Sequence, residues 1–244
     1  MWGGLSMSKN RSKKLERYAK EYKTIYEIDR LETSYRIRIL LEHATGKNVL
    51  EMGLGFGIVT LSLSKKFDAV VAVDGSSEVI RHVKKVLAKT DNVTLVHSLF
   101  EDYHPDSLFD VIVMFNVLEH VIDPVAILQC AREWLTSHGR IHILVPNAYS
   151  FHRRLGRAMG LIKCETEIAE TDRKWGHYRV YTFETLRRDI EAAGLNIHLI
   201  KGMLIKPLST QQMSGWSPEI LDGLYKLGME LPELCSEIYV VAGR

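Results

Sequence analysis

The sequence has no apolar run long enough to cross a bilayer, no Cys-x-x-Cys pair and almost no net charge. No membrane anchor is therefore expected, and residues 1–6, ahead of Met7, lack the apolar core of a signal peptide. The three cysteines, Cys130, Cys164 and Cys235, are odd in number and scattered. Neither a disulfide framework nor a zinc knuckle is expected from them, and a reducing cytoplasm suits them. With 32 Lys+Arg against 30 Asp+Glu, the formal charge of +2 is too small for a nucleic-acid or membrane-surface partner, so neither is expected. No internal repeat or low-complexity tract is present. A chain of 244 residues suits one α/β domain with room for an inserted cap.

What is present is an alternation. Residues 8–23 are polar, basic and helix-prone, and Ile37, Leu40, Leu41 and Ala44 recur at helical spacing, so 34–44 reads as an amphipathic helix stopped by Gly46. From Asn48 onward, NVLEM, AVVAV, VTLVH, DVIVMF and RIHILV are short runs rich in β-branched residues, several of them continuously apolar. Strands buried on both faces look like this, which implies a parallel sheet covered by helices. Helical spacing appears between them, at Val59 and Leu63 and again at Val79, Val83, Val86 and Leu87. Asp123 followed by Pro124 is a helix start, and Ile127, Leu128, Ala131 and Leu135 supply its apolar face. Gly139 reads as the turn into RIHILV. The rhythm breaks at Pro146: residues 147–182 form an irregular cap, and a helix at 183–193 and the strands NIHLIKG and SEIYVVAG follow. Strict rotation of strand and helix gives a Rossmann-like, doubly wound α/β sheet of seven strands. We divide the chain into an N-terminal helical segment, 1–33, and a main domain, 34–244, with the cap inserted at about 147–182.

The most informative stretch is VLEMGLGFG. A strand runs into Gly53, Gly55 and Gly57, and a helix follows. Glycines let the backbone turn sharply and let a ligand approach, and the helix start offers unpaired N–H groups. A tight turn without a ligand is the plain alternative. Three residues argue against it. Asp74 ends the second strand, where a carboxylate accepts both hydroxyls of a ribose, with Gly75 and Ser76 beside it. Ile58 stands where a dinucleotide site would have its third glycine, so a pyrophosphate is disfavoured. Glu51, two residues before Gly53, would repel a pyrophosphate but attract the ammonium of S-adenosylmethionine (SAM).

Glu51-x-Gly53-x-Gly55-x-Gly57 with Asp74 resembles the first two motifs of class I SAM-dependent methyltransferases. FDVIVMFNVLEHVIDP resembles the fourth-strand motif of the branch containing the ubiquinone-biosynthesis O-methyltransferases and sugar or natural-product methyltransferases, and LTSHGRIHILVPN its fifth-strand segment. The resemblance covers about residues 48–147 and implies a mostly parallel sheet with an antiparallel last strand. It implies SAM as cofactor, with S-adenosyl-L-homocysteine (SAH) as product, held by Glu51, Gly53, Gly55, Gly57 and Asp74 and by Asn116, Val117, Glu119 and His120. The family's acidic residue after strand three is missing from HSLFEDY; Leu99 and Phe100 are expected against the adenine, with Glu101 a weaker polar candidate. The segment before the first strand often serves as a lid in this family, which places Tyr22 or Tyr26 near the methionine carboxylate; helix packing is their plain alternative.

Methyl transfer is an in-line displacement in which the protein aligns the two groups, and a base is required when the acceptor arrives protonated. Asn116 is followed by Val117, Leu118 and Glu119 rather than by the prolines of nucleic-acid amino methylation. Glu119 lacks the second glutamate of arginine methylation, and amides at Asn116 and Asn147 replace carboxylates that would hold a metal; no metal is expected. The base candidates are His177, in the cap, and His120, which follows strand four; a structural hydrogen bond or a contact to SAM is the alternative for His120. Asn147, Arg153, Trp175, Arg179 and Tyr181 are the candidate acceptor contacts, with a solvated loop or a dimer interface as the alternative. Seven Lys or Arg against four acids over 148–182 suggest an anionic acceptor, while Trp175 and Tyr178 would suit an aromatic one. The reading is methyl transfer to an oxygen or nitrogen of a small biosynthetic molecule. The alternatives are a peptide or protein methyltransferase, a SAM-binding protein without catalysis and, from the glycines alone, a nicotinamide oxidoreductase. A homodimer is compatible with the sequence.

Overall fold

The computed structural model describes Glu16 and residues 27–244. Seven strands form one sheet: β1 (Asn48–Met52), β2 (Ala69–Asp74), β3 (Val93–His97), β4 (Phe109–Phe115), β5 (Leu135–Pro146), β6 (Asn196–Ile205) and β7 (Cys235–Gly243). Their order is β3-β2-β1-β4-β5-β7-β6. Pairs among the first five strands are parallel, and β7 slots antiparallel between β5 and β6. The sheet is thus the expected doubly wound one with an antiparallel last strand. β1 is buried after its first residue and β7 along its whole length, as continuous apolar runs require when helices cover both faces.

The helices are α1 (Glu27–His43), α2 (Ile58–Ser64), α3 (Ser77–Val86), α4 (Pro124–Glu133), α5 (Phe151–Ala158), α6 (Glu170–Trp175), α7 (Phe183–Ala192) and α8 (Pro218–Glu230). On one face, Ile127 and Leu128 of α4 and Leu186 and Ile190 of α7 share a core with β4 and β5. On the other, Tyr35 and Ile39 of α1 pack with Tyr225 of α8 and Tyr239 of β7, and the Tyr35 and Tyr225 rings stack at 4.4 Å. Asp123 caps α4 as its spacing predicts, accepting from Ala126 N–H at 3.0 Å with Pro124 in the first turn; such a cap contributes about 1 kcal/mol.

Four local expectations change. The helix expected over 34–44 begins at Glu27, so it runs through the boundary placed at 33/34. Its buried face is Tyr35, Ile39, Leu40 and Ala44. Gly139 is not a turn: β5 already starts at Leu135, and the β4–β5 pairing shifts register there. A Cβ on Gly139 would meet the Phe109 carbonyl oxygen at 2.8 Å, so glycine permits the close approach. The helix α8, for which Ser217-Pro218 repeats the Asp-Pro start, was not expected at all. The cap holds α5 and α6, and its ends are tied together by Ala148 N–H donating to Tyr181 O at 2.7 Å. All three cysteines are free, and no helix among the described residues is long and apolar enough to cross a membrane.

Candidate functional site

The carboxyl ends of β1, β2, β3 and β4 meet at one edge of the sheet, and the expected cofactor residues gather there. Gly53, Gly55 and Gly57 all have positive φ, between 49° and 81°. A Cβ on Gly53 would touch Val117 at 3.0 Å and one on Gly57 would touch Val83 at 3.0 Å, whereas one on Gly55 would enter open space. Two of the glycines therefore serve packing as well as the turn, and Gly55 alone leaves room in front of the loop. Asp74 fixes that loop to the next element: Oδ2 accepts from Leu54 N–H at 3.0 Å and Oδ1 from Ser76 N–H at 2.8 Å. Burial raises its pKa against the pull of those two donors. Gly75 is buried, its carbonyl 3.2 Å from His97 Nε2, and Ser76 caps α3 by accepting from Val79 N–H. The Ser76 hydroxyl, Ser77 N–H and Glu78 N–H all donate to Glu16, which lies at this edge. Leu99 leads into the single helical turn Phe100–Asp102, and the Phe100 ring comes within 3.9 Å of a Cβ built on Gly53. Glu101 is exposed. Tyr22 and Tyr26 lie outside the described residues.

Glu51 is buried and its Oε2 has no hydrogen-bond partner. Burial pushes its pKa up to about 8, and the nearby Asp74 adds to the rise. A buried carboxyl with an orphaned oxygen beside an open glycine loop fits the ammonium of SAM, and the Asp74 carboxylate fits ribose hydroxyls.

β4 ends in a turn that starts at Asn116, a non-glycine residue at φ 54°. Its Nδ2 donates to Glu237 Oε1 at 3.5 Å. Glu119 is fully buried, neither of its carboxylate oxygens has a hydrogen-bond partner, and burial pushes its pKa up to about 7 against the pull of His177. The His120 and His177 rings meet edge-on, 4.7 Å between centroids. The two base candidates, from distant parts of the chain, are therefore neighbours. Ligand-type atoms of Glu119, His120 and His177 all lie within 4.8 Å of one another. At that spacing three such groups can share a proton or enclose a cation, although the sequence reading expects no metal.

The cap is pinned over this turn. Tyr178 N–H donates to Glu119 O at 2.8 Å. The Arg179 guanidinium donates to the carbonyls of Leu118, Val121 and Ile122 at 2.6, 2.5 and 2.8 Å. Arg179, expected at the acceptor, is thus a splint between cap and turn. Other expected acceptor contacts are similarly engaged. The Asn147 amide donates to the Glu233 and Cys235 carbonyls and accepts from Tyr149 N–H. Tyr181 is buried with its hydroxyl on Asp189, and Arg153 is held by Asp172 and by the carbonyls of Glu165 and Glu167. Trp175 is half-buried, with the Lys174 ammonium 5.7 Å from its ring centroid.

The sequence reading missed an ionic cluster on the other side of Asn116. Arg36 of α1 grips Glu237 of β7 with two bonds, 2.6 and 2.9 Å, and pairs with Glu32; Lys206 lies 3.2 Å from Glu32. His152, half-buried nearby with Nδ1 unpartnered, is pushed by desolvation and by Lys206 down to about 4. Only Glu237, an acid inside the apolar run SEIYVVAG, carried a signal.

Comparison with known proteins agrees with this geometry. A family model described as "Methyltransferase domain" matches residues 22–200. The ubiquinone biosynthesis O-methyltransferase of Pasteurella multocida is 31% identical over 133 residues, covering 50% of this chain and 54% of that protein. The human mitochondrial counterpart is 29% identical over 174 residues, covering 67% of this chain and 45% of that protein. The chain spans about half the length of these relatives. Among solved structures, a DhpI-SAM-HEP complex superposes with a TM-score of 0.63 at 18% identity, covering 100% of both chains. The N-methyltransferase NodS from Bradyrhizobium japonicum WM9, in complex with SAH, gives 0.61 at 15% identity, covering 96% of this chain and 97% of NodS. At such identities these two establish the fold. With the family match, the glycine loop and the paired carboxyls at Glu51 and Asp74, the chain belongs to the class I SAM-dependent methyltransferase family.

Proposed function

We propose that the chain transfers a methyl group from SAM to an oxygen or nitrogen of a small-molecule acceptor, with His177 as the base. The observation that carries this reading is the meeting of His177, His120 and Glu119 beside the turn after β4, under a cap tied down by Arg179 and Tyr178. When bound, SAM supplies a methyl group already activated by its sulfonium. The chain then has to hold, align and deprotonate. The glycine loop, Glu51 and Asp74 hold the cofactor at the sheet edge. The cap limits water at the β4 turn, and His177 takes the acceptor's proton as the nucleophile attacks. Relatives named as O-methyltransferases and a structural neighbour named as an N-methyltransferase leave both acceptor atoms within the proposal.

Two of the seven basic residues of the cap are engaged by the protein itself. Arg153 and Arg179, behind the basic excess of the cap, point their guanidiniums at protein carbonyls and at Asp172. Lys206 and Arg36 are likewise each paired with a carboxylate. The test is incubation with methyl-labelled SAM and fractionated cell extract, with and without EDTA. Label is expected in the small-molecule fraction, EDTA-insensitive and strongly reduced for His177→Ala. Label in protein would move the acceptor to a polypeptide, and loss under EDTA would contradict the metal-free base.

A further inference from the structure

One carboxylate beside the base has no part in the reading so far. Asp172, in α6, has one oxygen locked: Oδ2 accepts from Arg153 Nη1 at 3.0 Å and from Ala169 N–H at 2.9 Å. Arg153 is itself held by the carbonyls of Glu165 and Glu167, so the lock is stiff. The other oxygen, Oδ1, faces His177 Nδ1 at 3.6 Å, just beyond hydrogen-bonding distance, and this buried nitrogen has no hydrogen-bond partner in the structure. The backbone brings the two together. Gly176, left-handed at φ 83°, reverses the chain after α6, and His177 N–H donates to the Asp172 carbonyl at 2.9 Å. Side-chain exposures of 14% for Asp172 and 13% for His177 put both largely out of solvent. The His177 ring also meets the His120 ring edge-on.

We propose that Asp172 is a positioning residue that accepts the Nδ1–H of His177, fixing its tautomer so that Nε2 carries the lone pair that takes the acceptor's proton. This rests on the reading of His177 as the base. A neutral imidazole carries one proton, and the partner of one nitrogen decides where that proton sits. A carboxylate only accepts, so its neighbour nitrogen must donate. Burial pushes the Asp172 pKa up, but His177, Ala169 and Arg153 outweigh it and hold it at about 2, which keeps the group an acceptor. The proton balance closes. As the acceptor's oxygen or nitrogen bonds to the methyl carbon, the carbon–sulfur pair goes to sulfur. The acceptor's proton goes to Nε2, and the imidazolium formed lies against Asp172. Base, orienting carboxylate and an anchor for that carboxylate repeat the logic by which an activated side chain is held by a third group.

The experiment needs no acceptor at its first step. Nitrogen-15 NMR of histidine-labelled protein at pH about 8.5, two units above the ordinary imidazole range, reads the tautomer of His177. His177→Ala assigns its resonance. The wild type is expected to show the Nδ1–H form, Asp172→Glu to keep it, and Asp172→Asn, whose amide can donate, to shift toward Nε2–H. In labelled-methyl assays Asp172→Asn should slow turnover by about 10²-fold or more with SAM affinity unchanged, and Asp172→Glu should recover part of the rate. An Nε2–H wild type, or a tautomer indifferent to Asp172→Asn, overturns the proposal. Normal turnover in His177→Ala would instead remove the base reading beneath it, so the two failures are distinguishable.

Discussion

Glu51 is where the structure makes a quantitative claim about ligand binding. Its carboxyl is buried, one oxygen is unpartnered, and its pKa stands at about 8, so at pH 7 roughly nine in ten molecules carry it protonated. An arriving ammonium selects the ionised form, and ionising Glu51 at pH 7 costs about 1.4 kcal/mol. SAM binding should therefore release about 0.9 proton at pH 7, and the affinity should rise about tenfold between pH 6 and 7 before levelling near 8. Glu51→Gln removes the titration. It also loses charge-assisted bonds worth about 1.5–3 kcal/mol, offset at pH 7 by the 1.4 kcal/mol no longer needed. The net loss at pH 7 is then at most about 15-fold, growing at higher pH. Calorimetry in buffers of different ionisation heat counts the proton directly. Buffer-independent heats in the wild type, or the same pH slope in Glu51→Gln, would refute the reasoning.

Other outcomes follow from the same site geometry. Asp74→Ala should weaken SAM by tenfold or more in calorimetry, because the ribose loses its carboxylate and the Leu54 and Ser76 amides lose the acceptor that fixes the loop. Unchanged affinity would show that the ribose lies elsewhere. Gly55→Val should abolish SAM binding while circular dichroism stays native. No protein atom lies within 4 Å of the new Cβ, but φ 49° strains valine and its methyls enter the ligand space. Retained binding would reduce the glycines to a turn. His152 is held down at about 4, so its contribution to stability is complete above about 6.5 and is lost as pH falls toward 4. The wild type should lose ground to His152→Leu in thermal melts over that window; a constant difference would contradict the burial argument.

What the sequence made legible is what repeats locally. The glycine loop, Asp74 and the Asp123-Pro124 cap are short-range patterns, and each stands in the structure where its spacing put it. The seven strands were readable from short runs rich in β-branched residues, and β1 and β4 most clearly because buried parallel strands are continuous apolar runs. Gly139 misled because a glycine that relieves a close backbone approach within a strand looks like one that makes a turn. Arg179, Tyr181 and Asn147 were placed at the acceptor for their polar groups, but each group is engaged within the protein, Arg179 and Asn147 by partners remote in sequence. No local pattern announces such pairing. The Arg36–Glu237 pair joins opposite ends of the chain and was invisible for the same reason.

The central claim is spatial: the cofactor sulfur faces a gap walled by the turn after β4 and by the cap residue His177. A crystal structure with SAH bound tests it most directly. The account predicts the ribose on Asp74, the amino group on Glu51, and the sulfur opening toward His177 and Glu119 across a gap that admits an acceptor. A sulfur turned away from His177, or a cap that closes that gap completely with SAH in place, would contradict it.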